Sequence, residues 1–268
     1  MEIRIFQALW GLDGGYAELI KRASEEKYAG IEAPLPPIGE EEAFKELLLV
    51  NNLDYIAQIV TSKDHAASFV AQLERAATFK PLLVVSHSAK DAMPIKDQLD
   101  FFKVALEAER HVGIPVGHET HRSRAMFTPW ATAALLRELP DLRITADFSH
   151  WCCVTESMLE DYQDDLSLAA ERTIHIHARI GHAQGPQIPH PAANEYDYER
   201  NAFKQWWGNI LRQQSQNGAT YATVTPEFGP PGYMPTLPFT RQPVADLREV
   251  NAWMANWFRE TYSGMFIT

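Results

Sequence analysis

The chain has 268 residues, a hydrophobic content of 46% and a formal net charge of −11 at pH 7. This length and apolar content suit one large α/β domain, which we expect to span residues 1–268. The negative charge argues against a nucleic-acid partner, because phosphate binding requires concentrated positive charge. The sequence has no apolar run long enough to cross a bilayer and no signal-peptide pattern at its start. The only cysteines, Cys152 and Cys153, are adjacent, so we expect a cytoplasmic protein without disulfides.

Predicted strands and helices alternate along the whole chain. The strands are expected at residues 3–9, 30–35, 54–60, 82–86, 114–120, 143–146, 174–180 and 221–228. The helices are expected at residues 16–28, 40–52, 64–80, 95–111, 128–139, 160–172, 194–216 and 244–262. Helical crossovers between successive strands favour a parallel arrangement.

Eight strand–helix units in one chain of this length predict a closed (β/α)₈ barrel, also called a TIM barrel. The alternative is an open, doubly wound sheet of the dinucleotide-binding type. That fold places a glycine-rich fingerprint after the first strand, and the LDGG segment at residues 12–15 lacks the required spacing. The barrel is therefore the favoured architecture.

Acidic residues and histidines recur where the predicted strands end. In a barrel these ends meet at one mouth, which is where active sites lie. A single histidine there would be unremarkable, but many such groups converge at one mouth only when a cation or a polar substrate neutralises them. The residues concerned are Glu32, His87, His118, Glu119, Asp147, His150, His175, His177 and Glu227.

The segment RITADFSHW, residues 143–151, shows this pattern within one stretch. A short apolar strand runs into Asp147, and His150 follows three residues later. This arrangement suits a metal ligand with a helper histidine beside it. The alternative is that Asp147 only caps the segment that follows.

A second stretch, IHIHARI, places His175 and His177 on one face of a strand, because side chains two residues apart point the same way. His177 lies nearer the mouth and is the better ligand, whereas His175 is expected to fill a polar niche in the core. Together with Glu119, Asp147 and Glu227, His177 would form a site made mainly of oxygen ligands. Such a site suits Mn²⁺ or Mg²⁺, with Zn²⁺ or Co²⁺ as alternatives because of the nitrogen ligand.

Four motifs, HETH at 118–121, DFSH at 147–150, HIHAR at 175–179 and PEFG at 226–229, resemble the xylose isomerase-like TIM barrels. That family includes sugar isomerases and epimerases, inosose-processing enzymes and an endonuclease IV branch, and the resemblance covers essentially the whole chain. It implies that the metal ligands are Glu119, Asp147, His177 and Glu227. It also implies that His150 is the helper histidine beside Asp147, and that Glu119 and Glu227 exchange a proton with the substrate.

The sequence departs from the keto-sugar 3-epimerases of this family at two positions. Those enzymes usually have a glutamate six residues after the strand-five glutamate and an arginine six residues after the strand-seven histidine. Here these positions hold Ala125 and Ala183. The candidates for substrate contacts are instead Arg122 and Arg179, together with Glu32, His87 and His118.

The leading hypothesis is a metal-dependent isomerase or epimerase of a sugar, sugar phosphate or cyclitol, and a dehydratase or lyase on a similar substrate is the alternative. An enzyme resembling endonuclease IV is disfavoured, because the third strand ends in QIVTS without a histidine and the PHPAA segment at 189–193 lacks the expected Asp-x-His pair. A partner-dependent, non-catalytic barrel is disfavoured by the complete set of four ligands. The expected partner is a small carbohydrate, and a homo-oligomer is compatible with the sequence.

Overall fold

The computed structural model describes residues 1–265. Within them, eight parallel strands form a closed barrel in the order in which they occur in the chain. The strands are β1 (Glu2–Ala8), β2 (Gly30–Pro34), β3 (Asp54–Val60), β4 (Leu83–His87), β5 (Val116–Glu119), β6 (Ile144–Ala146), β7 (Thr173–His177) and β8 (Tyr221–Thr225).

Nine α-helices occur among the described residues, mostly as crossovers between successive strands. They are α1 (Tyr16–Glu25), α2 (Glu41–Val50), α3 (His65–Ala77), α4 (Ile95–Val112), α5 (Pro129–Glu138), α6 (Phe148–Thr155), α7 (Gln163–Arg172), α8 (Asp197–Gln216) and α9 (Leu247–Tyr262). Short 3₁₀ turns precede α7 at Glu160–Tyr162 and α8 at Asn194–Tyr196. None of the helices within residues 1–265 combines the length and the apolar character that crossing a membrane requires.

The first and last strands close the barrel. Ile3 of β1 is in register with Ala222 of β8, and Ile5 with Val224, in a parallel pairing. The predicted (β/α)₈ barrel is thus confirmed. A closed barrel leaves no free sheet edge, so every strand end is fixed relative to its two neighbours.

The strands alternate between an outer face packed on the helices and an inner face that fills the barrel. Ile31, Ile144 and Ile176 belong to the large core between barrel and helices. Phe6, Ile56, Leu83 and Val85 form a separate buried cluster. Because side chains two residues apart share a face, Ile56 and Val85 lie on the same inner face as Gln58 and His87, one step below the mouth.

One helix is absent from the sequence-based prediction. The backbone leaves β6 at Ala146, and α6 begins directly at Phe148. Asp147 is the N-cap of this helix, and its Oδ1 accepts a hydrogen bond from the backbone N–H of Ser149 at 3.1 Å. The predicted helix at 160–172 is a 3₁₀ turn followed by α7.

Candidate metal centre

Four side chains from consecutive strands converge at the mouth of the barrel. Each offers one ligand atom, and these four atoms all lie within 4.8 Å of one another. All four residues are buried. Glu119 and His177 are the last residues of β5 and β7. Asp147 follows β6 directly, and Glu227 lies two residues beyond β8. We call this group the quartet: Glu119, Asp147, His177 and Glu227.

The donor atoms of the quartet suit a divalent cation. Nδ1 of His177 lies 2.9 Å from Oε2 of Glu227 and 3.3 Å from Oε1 of Glu119. Buried carboxylates in such close proximity repel one another unless positive charge lies between them. Three carboxylates and one imidazole form a ligand set for Mn²⁺ or Mg²⁺, and one that also accepts Zn²⁺ or Co²⁺.

Glu32 holds the ring of His177 from the side opposite the quartet. Its Oε1 accepts hydrogen bonds from Nε2 of His177 and from Nε2 of Gln58, both at 2.9 Å. Its Oε2 accepts a hydrogen bond from Nε2 of His175 at 3.1 Å, and Nδ1 of His175 lies 2.8 Å from the Thr223 hydroxyl. Because Nε2 of His177 donates to Glu32, Nδ1 is the nitrogen left to bind a cation.

The charges in this network determine which groups are ionised. Burial raises the pKa of Glu32, but the imidazoles of His177 and His175 lower it more, so the net pKa lies well below its usual value. Burial lowers the pKa of His177, but Glu227, Glu32 and Glu119 raise it well above its usual value. His177 therefore retains a proton that a cation would have to displace.

Arg179 contacts two members of the quartet. Its Nη2 forms an ion pair with Oδ2 of Asp147 and lies 3.3 Å from Oε2 of Glu227. The guanidinium also donates hydrogen bonds to the Glu227 carbonyl at 3.0 Å and to the Ser149 hydroxyl at 3.2 Å. Burial raises the pKa of Asp147, Arg179 lowers it, and the nearby carboxylates raise it again, for a net value of about 6.

Glu119 turns its two oxygens in different directions. Oε1 faces His177, whereas Oε2 lies 2.8 Å from Nε2 of His87 at the end of β4. Burial raises the pKa of Glu119, but His87, His121 and His177 lower it by a larger amount, so the net pKa lies well below its usual value. Glu119 is consequently ionised at neutral pH and is in the form that can bind a cation or accept a proton.

His150 lies beside the quartet, where the DFSH motif predicts a helper. Its Nε2 accepts a hydrogen bond from Nη2 of Arg179 at 3.0 Å and lies 3.8 Å from Oδ2 of Asp147. Its ring packs against that of His121 with 3.9 Å between centroids. Burial, reinforced by neighbouring positive groups, lowers the pKa of His150 well below its usual value, and burial lowers that of His121 to about 4. Both rings are therefore neutral at pH 7.

A cavity of about 220 Å³ opens onto the quartet. Trp10 and Tyr233 pack edge to face at 5.0 Å on its wall, and a Cβ atom added at Gly229 would lie 2.2 Å from Cη2 of Trp10. Glycine is therefore required at position 229, in the segment after β8, where Trp10 packs directly on the backbone. The lining residues are Trp10, Pro34, Gln58, Val60, His87, Glu119, His121, Arg179, Glu227 and Tyr233.

The structure separates three of the predicted substrate contacts from this cavity. His118 points outward from β5, where Ser88 Oγ lies 2.6 Å from its Nδ1 and Glu109 Oε1 lies 2.9 Å from its Nε2. Adjacent residues of a strand face opposite sides, so His118 cannot share the mouth with Glu119, and its expected substrate contact is wrong. Glu32 is buried below His177, and Arg122 stacks on Tyr233 at 4.8 Å without lining the cavity.

Six lining residues were not predicted as site residues: the apolar Pro34 and Val60, and the polar or aromatic Trp10, Gln58, His121 and Tyr233. Gln58 donates to both Glu32 and Glu227, at 2.9 and 3.2 Å. Its place on the inner face of β3, two residues after the buried Ile56, could have indicated this role. His121 follows Glu119 at the same spacing of two, whereas Trp10 and Tyr233 lie in loops where no periodicity applies.

Solved structures with the same fold match nearly the whole chain. An AP endonuclease of family 2 from Brucella melitensis has a TM-score of 0.64 at 14% identity, covering 95% of this chain and 99% of that chain. A D-tagatose 3-epimerase-like protein has a TM-score of 0.66 at 13% identity, with 97% of each chain covered. A xylose isomerase-like TIM barrel protein from Mycobacterium smegmatis, in complex with magnesium, has a TM-score of 0.65 at 10% identity, covering 99% of this chain and 98% of that chain.

No protein-family model matches the sequence, and no curated protein matches it either. These three structures share 10–14% of their residues with this chain, so they establish its fold and leave its reaction open. They agree with the resemblance that the four strand-end motifs indicate. The chain therefore has the fold of the xylose isomerase-like TIM barrels.

Proposed function

We propose that this protein is a divalent-metal-dependent isomerase or epimerase of a small polyhydroxy carbonyl compound: a sugar, a sugar phosphate or a cyclitol. The observation that carries the proposal is the quartet, in which Glu119 and Glu227 are both candidate ligands and both line the cavity. Two carboxylates at one cavity can remove a proton from a substrate carbon and return a proton elsewhere.

The quartet would hold the cation, with Mn²⁺ the best fit to its oxygen-rich donor set and Mg²⁺, Zn²⁺ or Co²⁺ as alternatives. When bound, the cation supplies Lewis acidity to the substrate carbonyl, which makes the neighbouring C–H more acidic. The cavity of about 220 Å³ is smaller than the roughly 300–1,000 Å³ of pockets for drug-sized ligands, which favours a small substrate.

Glu119 and Glu227 carry the proposed proton transfer. One carboxylate takes the proton from the carbon next to the carbonyl. The electron pair of that C–H bond forms a carbon–carbon double bond, and the carbonyl π electrons move to oxygen. In epimerisation, the second carboxylate, in its protonated form, returns a proton to the opposite face of the same carbon, and the original carbonyl re-forms. In isomerisation, the hydroxyl proton on that carbon passes to the former carbonyl oxygen, a protonated carboxylate protonates the former carbonyl carbon, and the carbonyl re-forms at the carbon that lost the first proton. The low pKa of Glu119 keeps it ionised and ready to accept the proton. Arg179 and His87 line the cavity, which supports the proposal that both bind substrate oxygens.

Elimination of water from a similar substrate is the alternative. It shares the removal of the first proton but needs a second group that protonates a departing hydroxyl. Nε2 of His121 lies 3.2 Å from the Tyr233 hydroxyl, and both residues line the cavity, so this pair could deliver that proton. A phosphodiesterase acting on DNA is less compatible with the small cavity and the net charge of −11.

The proposal is tested by incubating the Mn²⁺-loaded protein in D₂O with a panel of ketoses, sugar phosphates and inososes. We expect one substrate to acquire deuterium at a carbon next to its carbonyl, observed by NMR together with the isomeric product. Loss of water from the substrate would identify the lyase instead. Absence of exchange across the panel, with Mn²⁺ demonstrably bound, would contradict both reactions.

Variants identify the carboxylates that act. Glu119→Gln and Glu227→Gln should each nearly abolish deuterium exchange, and saturating Mn²⁺ should not restore it, because added metal restores occupancy but not the base. Glu46→Gln, at an exposed helical position, is the matched control and should exchange normally. Full activity of both site variants would mean that the carboxylates are only ligands, with His150 the next candidate for the base.

A further inference from the structure

Arg179 is a positively charged side chain placed against the ligands of a predicted cation site. Its guanidinium is 1% exposed and forms an ion pair with Oδ2 of Asp147. The same Nη2 atom lies 3.3 Å from Oε2 of Glu227. A guanidinium and a divalent cation would therefore compete for the charge of two of the four ligands.

The guanidinium is held in this position from several sides. It donates hydrogen bonds to the Glu227 carbonyl, to the Ser149 hydroxyl and to Nε2 of His150, at 3.0, 3.2 and 3.0 Å. Its Cζ atom also lies 4.7 Å from the ring centroid of Tyr233. Rigid placement means that its charge acts on the quartet at short range and with little screening by water.

The balance of buried charge supports the same conclusion. Glu32, Glu119, Asp147 and Glu227 are four buried carboxylates, and Arg179 is the buried guanidinium among them. The four carboxylates and Arg179 together leave three negative charges, from which the proton on His177 takes one until a cation displaces it, and the remainder attracts a divalent cation. Without Arg179 there would be one more negative charge, and the attraction would be stronger.

We propose that Arg179 acts as an internal counter-ion that stabilises the metal-free quartet and limits its affinity for divalent cations. Cation binding then weakens the contacts of Arg179 with Asp147 and Glu227, and frees N–H donors of its guanidinium in the cavity that it lines. Arg179 is thus a positioning residue for the metal centre. This inference rests on the metal centre of the proposed function, but not on the reaction carried out there.

The test compares Mn²⁺ binding and thermal unfolding in wild type and Arg179→Met, which keeps much of the side-chain length without the charge. We expect Arg179→Met to bind Mn²⁺ about 10- to 100-fold more tightly, because a repulsive positive charge is removed. The Tm of its metal-free form should fall, and a larger rise in Tm should follow Mn²⁺ addition. Arg179→Lys keeps the charge and should bind with an affinity close to that of wild type.

Arg122→Met is the matched control. Arg122 stacks on the ring of Tyr233 at 4.8 Å, much as Arg179 does at 4.7 Å, but within residues 1–265 it forms no ion pair with the quartet. Its affinity for Mn²⁺ should stay within about twofold of wild type, since the half-buried Arg122 does not contact the four ligands and water partly screens its charge. An increase in Mn²⁺ affinity as large as that of Arg179→Met would show that the general loss of positive charge is responsible, and not the contact of Arg179 with the quartet.

A second measurement does not depend on the stability of a variant. In protein labelled with ¹⁵N-arginine, the side-chain N–H signals of Arg179, assigned by their absence from Arg179→Lys, should shift and exchange faster with solvent when Mg²⁺ is added. Unchanged signals at Mg²⁺ saturation, or weaker Mn²⁺ binding by Arg179→Met, would overturn the inference. If Mn²⁺ bound equally to wild type and Arg179→Met, only the role of Arg179 would fail. If neither bound Mn²⁺, the metal centre of the proposed function would fail as well.

Discussion

Nε2 of His177 lies 2.9 Å from Oε1 of Glu32, and Nδ1 of the same ring faces Glu119 and Glu227. A carboxylate that accepts from the far nitrogen of a metal-binding imidazole fixes both the tautomer and the orientation of the ring. In the proposed metal centre, Glu32 would therefore affect cation binding without touching the cation.

Replacing Glu32 by Gln should weaken Mn²⁺ binding by roughly 10- to 100-fold, because the amide accepts a hydrogen bond without supplying the negative charge that makes His177 a stronger ligand. Isothermal titration calorimetry measures the change. Glu46→Gln serves again as the control on an exposed helix surface. An unchanged Kd in Glu32→Gln would mean that the backbone of β7 alone orients His177.

Cation binding should release protons and weaken as the pH falls. The pKa of His177 lies well above its usual value, and that of Asp147 is about 6. A cation requires both groups without their protons, so it displaces the proton of His177 throughout the neutral range and, below about pH 6, that of Asp147 as well. The apparent Kd for Mn²⁺ should therefore rise steadily between pH 7 and pH 5.

Calorimetry in two buffers with different ionisation enthalpies counts the protons directly. About one proton per Mn²⁺ is expected near pH 7, with a larger number near pH 5.5. A heat of binding that is independent of the buffer would show that His177 is already neutral in the metal-free protein, and would contradict the prediction.

His118 and His87 offer a matched pair on neighbouring strands. His118 faces outward against Phe69 and Phe102 and is hydrogen-bonded to Ser88, whereas His87 reaches Oε2 of Glu119. His118→Gln should lower the free energy of unfolding by about 1–3 kcal/mol, through loss of buried hydrogen bonds, and leave turnover per folded molecule unchanged. His87→Gln should lower turnover with a smaller effect on unfolding. Denaturant titration and initial rates, measured on both variants, test this prediction. A larger loss of turnover in His118→Gln than in His87→Gln would contradict it.

His150 should matter more for the reaction than for folding. Its ring lies beside Arg179 and His121, and its Nδ1 has no hydrogen-bond partner within residues 1–265. His150→Gln should lower turnover by about 100-fold, the lower end of the usual contribution of an acid–base group, while most of the protein remains folded. Parallel loss of Tm and turnover would identify a structural histidine instead.

Periodicity in the sequence was sufficient to predict the barrel and the convergence of the four quartet residues at its mouth. The ends of parallel strands must meet at one mouth, so Glu119 and His177 could be placed there without coordinates. It was harder to predict which side chains of β5 point into the barrel. His118 and Glu119 are adjacent, and only the strand register decides which of them faces inward.

Loop conformation was the part that the sequence left undetermined. Arg179 lies two residues beyond the end of β7, and its contact with Asp147 depends on how the backbone turns there. Tyr233 lies in the segment between β8 and α9, which no periodic pattern describes. The sequence suggested two roles for Asp147, helix cap and metal ligand. The structure shows the cap and brings the Asp147 carboxylate close to the other three donor atoms of the quartet, while its role as a ligand stays a prediction.

The two halves of the barrel contribute different residues to its mouth. Strands β5 to β8 provide the quartet, while Trp10, Pro34, Val60 and His87 reach the cavity from the half that contains β1 to β4. Because Trp10, Pro34 and Val60 are not members of the quartet, we expect a library restricted to them to change which ligands the cavity accepts while the proposed cation site stays intact. Glu32, Gln58 and His87 of the same half contact members of the quartet, so the low-risk positions are the three in the library and not the first half as a whole.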